Sequence, residues 1–394
     1  MASWSGSAVT SAQRKVLRKS NMLKKIQEDS CFFYAPVGKI SKALPVFYNP
    51  DMALNRDISI LLLNSISNKD LRVLDLLAGS GIRSLRFIAS LKKGKIKELT
   101  VNDSSKEAAE TIKKNFSIKR NPNPNKIKPE ILNKDANELL VLSEGFDYID
   151  IDPFGSPNPF LDNSVKRLSR DGILAVTATD TSALSGSFIN ACQRKYWATP
   201  LKNYMMHETG MRILIRKVQL VAAQYDKALV PIFSHSTRHY LRVYFRCSKG
   251  KIKTDKILSK HNYLLFCKNC LTVKASRQNK DICCKKKMIW AGPLWTGQLW
   301  DKRVASRMLK KADKGNKDLF KLLEIISKES RISQVGFYSI PIICKKLRKS
   351  LPKQELILEK IKKAGYKAAQ THFLLDGIRS SIEINKLKKI IKSI

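Results

Sequence analysis

Between residues 71 and 250, short apolar runs alternate with stretches of helical spacing, and few architectures accept that alternation. Runs that read as strands cover 72–76, 98–102, 127–133, 146–151, 172–179, 213–216 and 240–245. Helical stretches such as 105–116 and 160–168 lie between them. Strands that alternate with helices build a parallel sheet with helices on its faces, so the expected class is α/β. The tract 121–125, Asn-Pro-Asn-Pro-Asn, is a loop. Polar residues at 248–255 mark a boundary near 250.

Beyond that boundary the pattern changes. A cysteine-bearing segment spans 261–300, and Leu319, Leu322, Leu323 and Ile326 give 316–330 helical spacing. A helix is expected at 340–349, a break at Pro352, a second helix at 354–363 ending at Gly365, and a strand at 369–374. Helix, turn, helix and strand, with lysines on the second helix, fit a winged-helix module or a plain α+β packing domain. The whole reads as a basic N-terminal arm (1–27), an α/β domain (28–250) and a C-terminal α+β domain (251–394).

The chain has 394 residues, 43% of them hydrophobic, enough to build a core for each part. The longest apolar runs, 58–63 and 173–178, fall far short of the ~20 residues that span a bilayer, so no membrane segment is expected. Charge is the extreme property: 74 Lys and Arg against 33 Asp and Glu leave +41. Phosphates neutralised by such a surface release counterions, which points to nucleic acid without choosing between DNA and RNA. Eight scattered and clustered cysteines do not form a disulfide scaffold; Cys31, Cys192, Cys247 and Cys344 read as reduced and buried. Residues 1–27 hold no acid, which suits an arm beside nucleic acid and also faintly resembles an organelle transit peptide.

Three strand ends carry ligand chemistry in order. The first, through Asp75, runs into Gly79-Ser80-Gly81, where glycine lets the backbone approach a ligand at a helix N-terminus. The second ends at Asp103, 22 residues after Gly81, a spacing at which an acid holds ribose hydroxyls. The third ends at Asp135-Ala136, placed to meet an adenine amino group. The turn lacks the third glycine of a dinucleotide fingerprint. With a fourth strand end carrying Asp-Pro-Phe, the set favours S-adenosylmethionine over NAD.

That fourth end is Asp152-Pro153-Phe154. A carboxylate there accepts a hydrogen bond from an amino group, the proline stiffens the backbone, and the aromatic stacks on a flat ring. The combination suits methylation of an exocyclic base nitrogen, although Pro and Gly also occur in ordinary turns. Asp150 shares a face with Asp152 and reads as buried capping. His207 and Glu208 read as hydrogen-bonded support, His372 warrants the same reading, and Trp290, Trp295 and Trp300 read as packing.

The chain resembles the tRNA (guanine-26-N2)-dimethyltransferase family from about residue 28 onward. The likeness rests on 46–57 (Val-Phe-Tyr-Asn-Pro-Asp-Met-Ala-Leu-Asn-Arg-Asp), 152–157 (Asp-Pro-Phe-Gly-Ser-Pro), 207–215 (His-Glu-Thr-Gly-Met-Arg-Ile-Leu-Ile), 292–297 (Gly-Pro-Leu-Trp-Thr-Gly), Thr371-His-Phe and Gly377-Ile-Arg379. It implies a class I, Rossmann-like S-adenosylmethionine methyltransferase domain and a C-terminal domain that grips tRNA. By the same resemblance Phe47, Asn55, Asp75, Gly79 and Gly81 line the cofactor pocket, Arg56 binds the cofactor carboxylate, and Arg83 joins it. Asp103 holds the ribose, and Asp135 with the Ala136 backbone holds the adenine. Asp152, Pro153 and Phe154 act on guanine N2. A monomer is expected, working in the cytoplasm, or in an organelle or nucleus of a eukaryotic host.

Cys267 and Cys270 have zinc-knuckle spacing. Family relatives carry a second such pair before Gly-Pro-Leu-Trp, but this chain reads Asp281-Ile282-Cys283-Cys284 there. Zinc held by Cys267, Cys270, Cys284 and Cys283 is expected, with Asp281 or no fourth ligand as alternatives. Two rival functions stay open: an amino-methyltransferase of DNA, whose sites show two prolines after the acid, and a non-catalytic RNA-binding protein on a vestigial fold.

Overall fold

The structure is a computed structural model describing residues 23–38, 44 and 46–394. Positions 1–22 of the expected basic arm lie outside the described residues, and Leu23–Glu28 forms a strand. Two compact units are formed, one by the described residues up to Ile60 with Asn68–Leu139, the other by Leu61–Ser67 with Leu140–Ile394.

In the first unit, β1 (Leu23–Glu28) and β2 (Cys31–Pro36) make an antiparallel hairpin. Alternate residues of β2, Cys31, Phe33 and Ala35, are buried against Ile82 and Leu85, as strand periodicity requires. Then follow α1 (Ala53–Ser65), β3 (Leu71–Asp75), α2 (Ile82–Ser90), β4 (Ile96–Asn102), α3 (Lys106–Phe116), β5 (Glu130–Leu132) and α4 (Ala136–Leu142). β4 lies between β3 and β5, and both pairings are parallel. β5 is shorter than the expected 127–133. The Asn123 side chain accepts from Ile127 N at 3.0 Å and donates to Ile127 O at 2.9 Å, so a local turn takes the backbone groups a ladder would use.

The second unit opens with β6 (Phe146–Ile151), α5 (Asn158–Arg167), β7 (Leu168–Ala178), α6 (Thr181–Leu184), α7 (Ile189–Tyr196), α8 (Met206–Ala223), β8 (Lys227–Thr237) and β9 (Tyr240–Lys249). Their order is β6-β7-β9-β8. β6 and β7 are parallel, but β9 is antiparallel to both its neighbours. These four strands are therefore mixed, one parallel pairing beside two antiparallel ones, and not the wholly parallel set expected. The reason is local: Arg238-His239 joins β8 to β9, and a two-residue connection can only return the chain antiparallel. The strand expected at 213–216 is instead part of α8. Met211 to Ile215 are buried on every side, and a short apolar run buried all round carries no period to separate helix from strand.

The remaining elements are α9 (Lys251–Leu258), β10 (His261–Phe266), β11 (Val273–Ser276), β12 (Ile282–Cys283), β13 (Lys286–Lys287), β14 (Ile289–Trp295), α10 (Lys302–Lys311), α11 (Lys317–Glu329), β15 (Tyr338–Ser339), α12 (Ile340–Leu347), α13 (Gln354–Lys363), β16 (Ala368–Gln370), β17 (Gly377–Ser380) and α14 (Ile384–Lys392). β10 sits between β11 and β14, and β17 between β15 and β16. The helix–turn–helix of α12 and α13 leads into the β16–β17 hairpin. Gly365, at φ 84°, ends the second helix's run. β16 stops at Gln370, short of the expected 374, because Thr371 and His372 turn to Glu329.

Two buried ionic groups hold the second unit. Asp150 on β6 and Arg242 on β9 are both fully buried; Arg242 reaches the two Asp150 oxygens at 3.0 and 2.6 Å and the Thr177 hydroxyl at 2.8 Å. Glu208 on α8 accepts from Arg212 at 2.8 Å and Arg379 at 2.8 Å, and Arg379 also bonds Glu329 at 2.9 Å. Glu329 meets His372 Nδ1 at 2.8 Å. Trp295 and Trp300 are buried, and Trp300 donates to Ser234 O at 2.7 Å.

Arg242→Met leaves the Asp150 carboxylate buried without its partner. The expected loss is ~3–5 kcal/mol, read as a lower urea midpoint; an unchanged midpoint would show that the pair carries no stability. A second expectation concerns pH. Burial opposes the Glu208 charge, but Arg379 and Arg212 outweigh it and hold the carboxyl at about 2, below its ordinary 4.5. A folded value below the unfolded one gives stability that is complete above the ordinary carboxylate range and is lost as pH falls through it toward about 2. Thermal melts from pH 7 to 2 should fall steeply for the wild type. Glu208→Gln should melt lower at pH 7 and respond less to acid.

Candidate active site

The first unit gathers most residues expected at the cofactor. β3 ends at Asp75, whose buried carboxylate accepts from the Ser84 hydroxyl at 2.7 Å. The turn that follows requires glycine. Gly79 has φ 57°, and a Cβ there would lie 2.6 Å from Phe47 O. Ser80 N donates to Phe47 O at 3.0 Å, so Phe47 is the chain packed on the turn. Gly81, at φ 75°, starts α2 with its backbone left-handed.

Asp103 stands directly after β4. Its carboxylate accepts from Gly79 N at 2.8 Å and Ser105 N at 2.9 Å. Burial pushes its pKa up, while these two N–H groups pull it down. Asn102, next to it, laces three strand ends together. Its Nδ2 donates to Leu76 O at 3.2 Å and Lys134 O at 3.1 Å, and its Oδ1 accepts from Lys134 N at 3.1 Å. The Gly turn, Asp103 and the start of α4 are thus held in mutual register. At that start, Asp135 Oδ1 accepts from Asn137 N at 2.8 Å and Glu138 N at 3.1 Å, a helix cap, and Ala136 is buried behind it. Asn115 ties β2 to the turn: it exchanges both backbone bonds with Tyr34 and donates to Ser80 O at 2.9 Å.

The arginines are more engaged than expected. Arg56 presents Nε and Nη2 to the Glu28 carboxylate at 2.7 and 2.5 Å, and Asp57 pairs with Arg86 at 2.6 Å. Glu28 is held below its usual range: burial raises it, and Arg56 and Arg86 more than offset that. Arg83 Nη1 donates to Asn55 Oδ1 at 2.9 Å and Ser59 Oγ at 3.1 Å. Asn55 is fully buried, and its Nδ2 finds no hydrogen-bond partner among the described residues. An unmet buried donor one helix from a glycine turn fits the acceptor-rich end of a nucleoside–amino-acid cofactor.

The second unit carries the Asp-Pro-Phe segment. β6 delivers Asp150 into the sheet, where Arg242 consumes it, and leaves Asp152 and Pro153 half-buried beyond the strand end. Phe154 is 39% exposed, high for an aromatic ring. The segment is braced. Gly155 N donates to Thr179 Oγ1 at 2.6 Å, and Thr179 N returns a bond to Gly155 O at 2.9 Å. The Tyr196 hydroxyl bridges Asp180 at 2.6 Å and Ser156 at 3.0 Å. Burial, then Asp180, pushes the Tyr196 pKa well up, so it stays a neutral donor. Sequence reasoning missed Asn102, Asn115, Glu28, Arg242, Thr179 and Tyr196. Only Thr179-Asp180 carried a signal, as a polar pair ending the strand after β6.

In the same unit, the sulfurs of Cys267, Cys270, Cys283 and Cys284 all lie within 4.8 Å of one another. A tetrahedral site with Zn–S near 2.3 Å separates its sulfurs by about 3.8 Å, so the set fits zinc. Asp281 pairs with Lys274 instead, which leaves the open fourth position to Cys283. Burial raises the Cys270 thiol, but hydrogen bonds from Thr272 and neighbouring cysteines bring it down to about 6. Among the described residues no helix is long and apolar enough to cross a membrane.

Residues 19–392 match the family model for N2,N2-dimethylguanosine tRNA methyltransferase. A tRNA (guanine(26)-N(2))-dimethyltransferase of Methanobrevibacter smithii is 40% identical over 371 residues, covering 90% of this chain and 93% of the relative. The tRNA (guanine(26)-N(2)/guanine(27)-N(2))-dimethyltransferase of Aquifex aeolicus is 38% identical, covering 89% and 90%. The solved complex of Trm1 from Pyrococcus horikoshii with S-adenosyl-L-methionine matches at a TM-score of 0.81 and 34% identity, over 94% of this chain and all of that one. With a class I methyltransferase sheet, a glycine turn backed by Asp103 and relatives alike over nearly their whole length, the chain belongs to the N2,N2-dimethylguanosine tRNA methyltransferase family.

Proposed function

We infer that the protein transfers methyl groups from S-adenosylmethionine to the exocyclic N2 of guanine at position 26 of tRNA, giving N2-methyl- and N2,N2-dimethylguanosine. The observation that carries this is the likeness, over 94% of the chain, to a structure solved with that cofactor. When bound, S-adenosylmethionine supplies an electrophilic methyl group. Asp103 would hold its ribose and Asp135 with Ala136 its adenine. Asn55 Nδ2 is a donor for its carboxylate, and Arg56 would reach that carboxylate only by loosening its hold on Glu28.

Guanine N2 is a weak nucleophile because its lone pair is delocalised into the ring. Asp152 is assigned the N2 amino group: its carboxylate accepts a hydrogen bond, localises the lone pair and balances the charge that develops. The Pro153 carbonyl is a second acceptor, and Phe154 stacks on the base. Asp152 takes the N2 proton only after the methyl has arrived, so no strong base is needed. Positioning by the Thr179 and Tyr196 braces then does much of the catalysis. The target lies inside a folded tRNA, so it must leave its stack to reach Phe154.

We read 28–250 as the methyltransferase part and 251–394 as the part that grips tRNA, with zinc at Cys267, Cys270, Cys283 and Cys284 as a structural ion. The protein is taken to act as a monomer in the cytoplasm, where unmodified tRNA is met.

Nucleosides from a tRNA transcript incubated with protein and S-adenosylmethionine, read by mass spectrometry, test the reaction. N2,N2-dimethylguanosine should form and should vanish when guanine 26 is replaced; its absence with the intact transcript would overturn the reading. Asp152→Ala should lower kcat by about 10²–10³-fold while calorimetry shows cofactor affinity unchanged. Turnover within a few-fold of wild type would remove Asp152 from the chemistry. Metal analysis should find one zinc per chain, absent from Cys270→Ser, which should also melt lower. Metal-free protein with an unaltered melt would remove the ion.

A further inference from the structure

A second concave surface lies wholly within the second unit. It is a groove of about 1120 Å³ walled by α10, α11, α13 and the start of β16. Each helix turns one face to it. Lys302, Arg303 and Ser306 come from α10; Lys321, Glu324, Ile325 and Lys328, one i, i+3/i+4, i+7 stripe, from α11; Gln354, Leu358 and Lys362, at i, i+4, i+8, from α13. Exposed Arg331 and Lys367 and buried Ile332 and Ala369 complete the lining.

The charges are one-sided and unspent. Seven lysine and arginine side chains line the groove against two glutamates, Glu324 and Glu355. Glu324 is already paired with Lys328 at 2.9 Å. Lys302, Arg303, Lys321, Arg331, Lys362 and Lys367 are all exposed, and none has an ion-pair partner among the described residues. The contrast with the buried Arg212, Arg242 and Arg379, each bonded to a carboxylate, is complete. Like charges gathered in a concave wall focus their field and repel one another until a polyanion enters. The lining holds one aromatic, Tyr366, whose hydroxyl is bonded to Lys386. One ring among seven cations gives the groove the chemistry of a phosphate-binding surface more than of a base-stacking one.

We propose that this groove between α10, α11 and α13 is the surface that holds the tRNA sugar–phosphate backbone away from the methylated base. The proposal rests on the tRNA substrate inferred above and assigns its grip to these side chains. Bonds of this kind to phosphate give affinity and orientation without sequence choice. They should thus set KM for tRNA and leave the chemical step alone.

The test uses the full chain carrying Lys321→Glu, Arg331→Glu and Lys362→Glu together. The control carries Lys251→Glu, Lys253→Glu and Lys256→Glu on α9, an equal change of charge at exposed positions outside the groove. Binding of an unmodified tRNA transcript is read by fluorescence anisotropy over a range of salt, and turnover separately by nucleoside mass spectrometry. The groove variant should weaken Kd and raise KM at least about tenfold more than the control, with kcat at saturating tRNA and cofactor affinity kept. Its salt slope should shrink by about 0.7–0.9 for each phosphate that is no longer neutralised. The milder Lys321→Gln, Arg331→Gln, Lys362→Gln set, checked by circular dichroism, should show the same pattern more weakly. A groove variant no worse than the control would overturn the proposal and leave the groove to another anionic partner such as an acidic peptide. Because Kd needs no turnover, a wild type that binds tRNA but does not methylate it would sink the reaction, while the groove is still decided by Kd.

Discussion

Asp150 carries a negative charge into the interior of β6 with no water to solvate it, and the guanidinium of Arg242 is what makes that tolerable. The pair spans 92 residues of sequence and joins β6 to β9, with Thr177 of β7 as a third partner. It therefore crosses the strands whose ends carry the Asp-Pro-Phe segment. Two residues on, Asp152 emerges from the same strand half-buried. One carboxylate is spent on the scaffold, and the next lies half-buried beyond the strand end. Burial against the Arg242 guanidinium, not residue type, separates the two surroundings.

The same division runs through the cations of the second unit. Arg212, Arg242 and Arg379 lie inside, each meeting a carboxylate at 2.8 Å or less. Arginine suits this work because its planar fork serves two acceptors at once and never loses its proton. The cations lining the groove between α10, α11 and α13 are exposed and, Lys328 apart, without an ion-pair partner among the described residues. The 74 lysines and arginines thus include two contrasting sets: arginines paired with carboxylates inside the fold, and exposed cations along the groove.

In the first unit, amides keep the register around the glycine turn, beside the ion network of Glu28, Arg56, Asp57 and Arg86. Asn102 and Asn115 each hold backbone groups from separate elements around the Gly79–Gly81 turn. Each amide offers donors and an acceptor, so one buried side chain can fix two or three strand ends without a desolvated charge. Neither stood out in the sequence, since asparagine beside a strand end more often marks a turn. Their neighbours Gly79, Gly81, Asp103 and Asp135 did stand out, because they fall at strand ends whose spacing is local.

What could be read from the sequence was whatever neighbouring residues decide. Alternating apolar runs set the α/β class, Gly-Ser-Gly set a turn with positive φ, and the Cys267–Cys270 spacing marked the cysteine cluster. Where local pattern is silent, tertiary structure chose. It placed the 213–216 run in a helix because the run is buried on all sides, and turned β9 antiparallel through a two-residue connection. It spent Arg56 on Glu28 and Asp150 on Arg242, and it brought Cys283 to the other three sulfurs in place of Asp281. These choices depend on which charges meet across 28 or 92 residues of chain, and only the folded backbone brings them within reach.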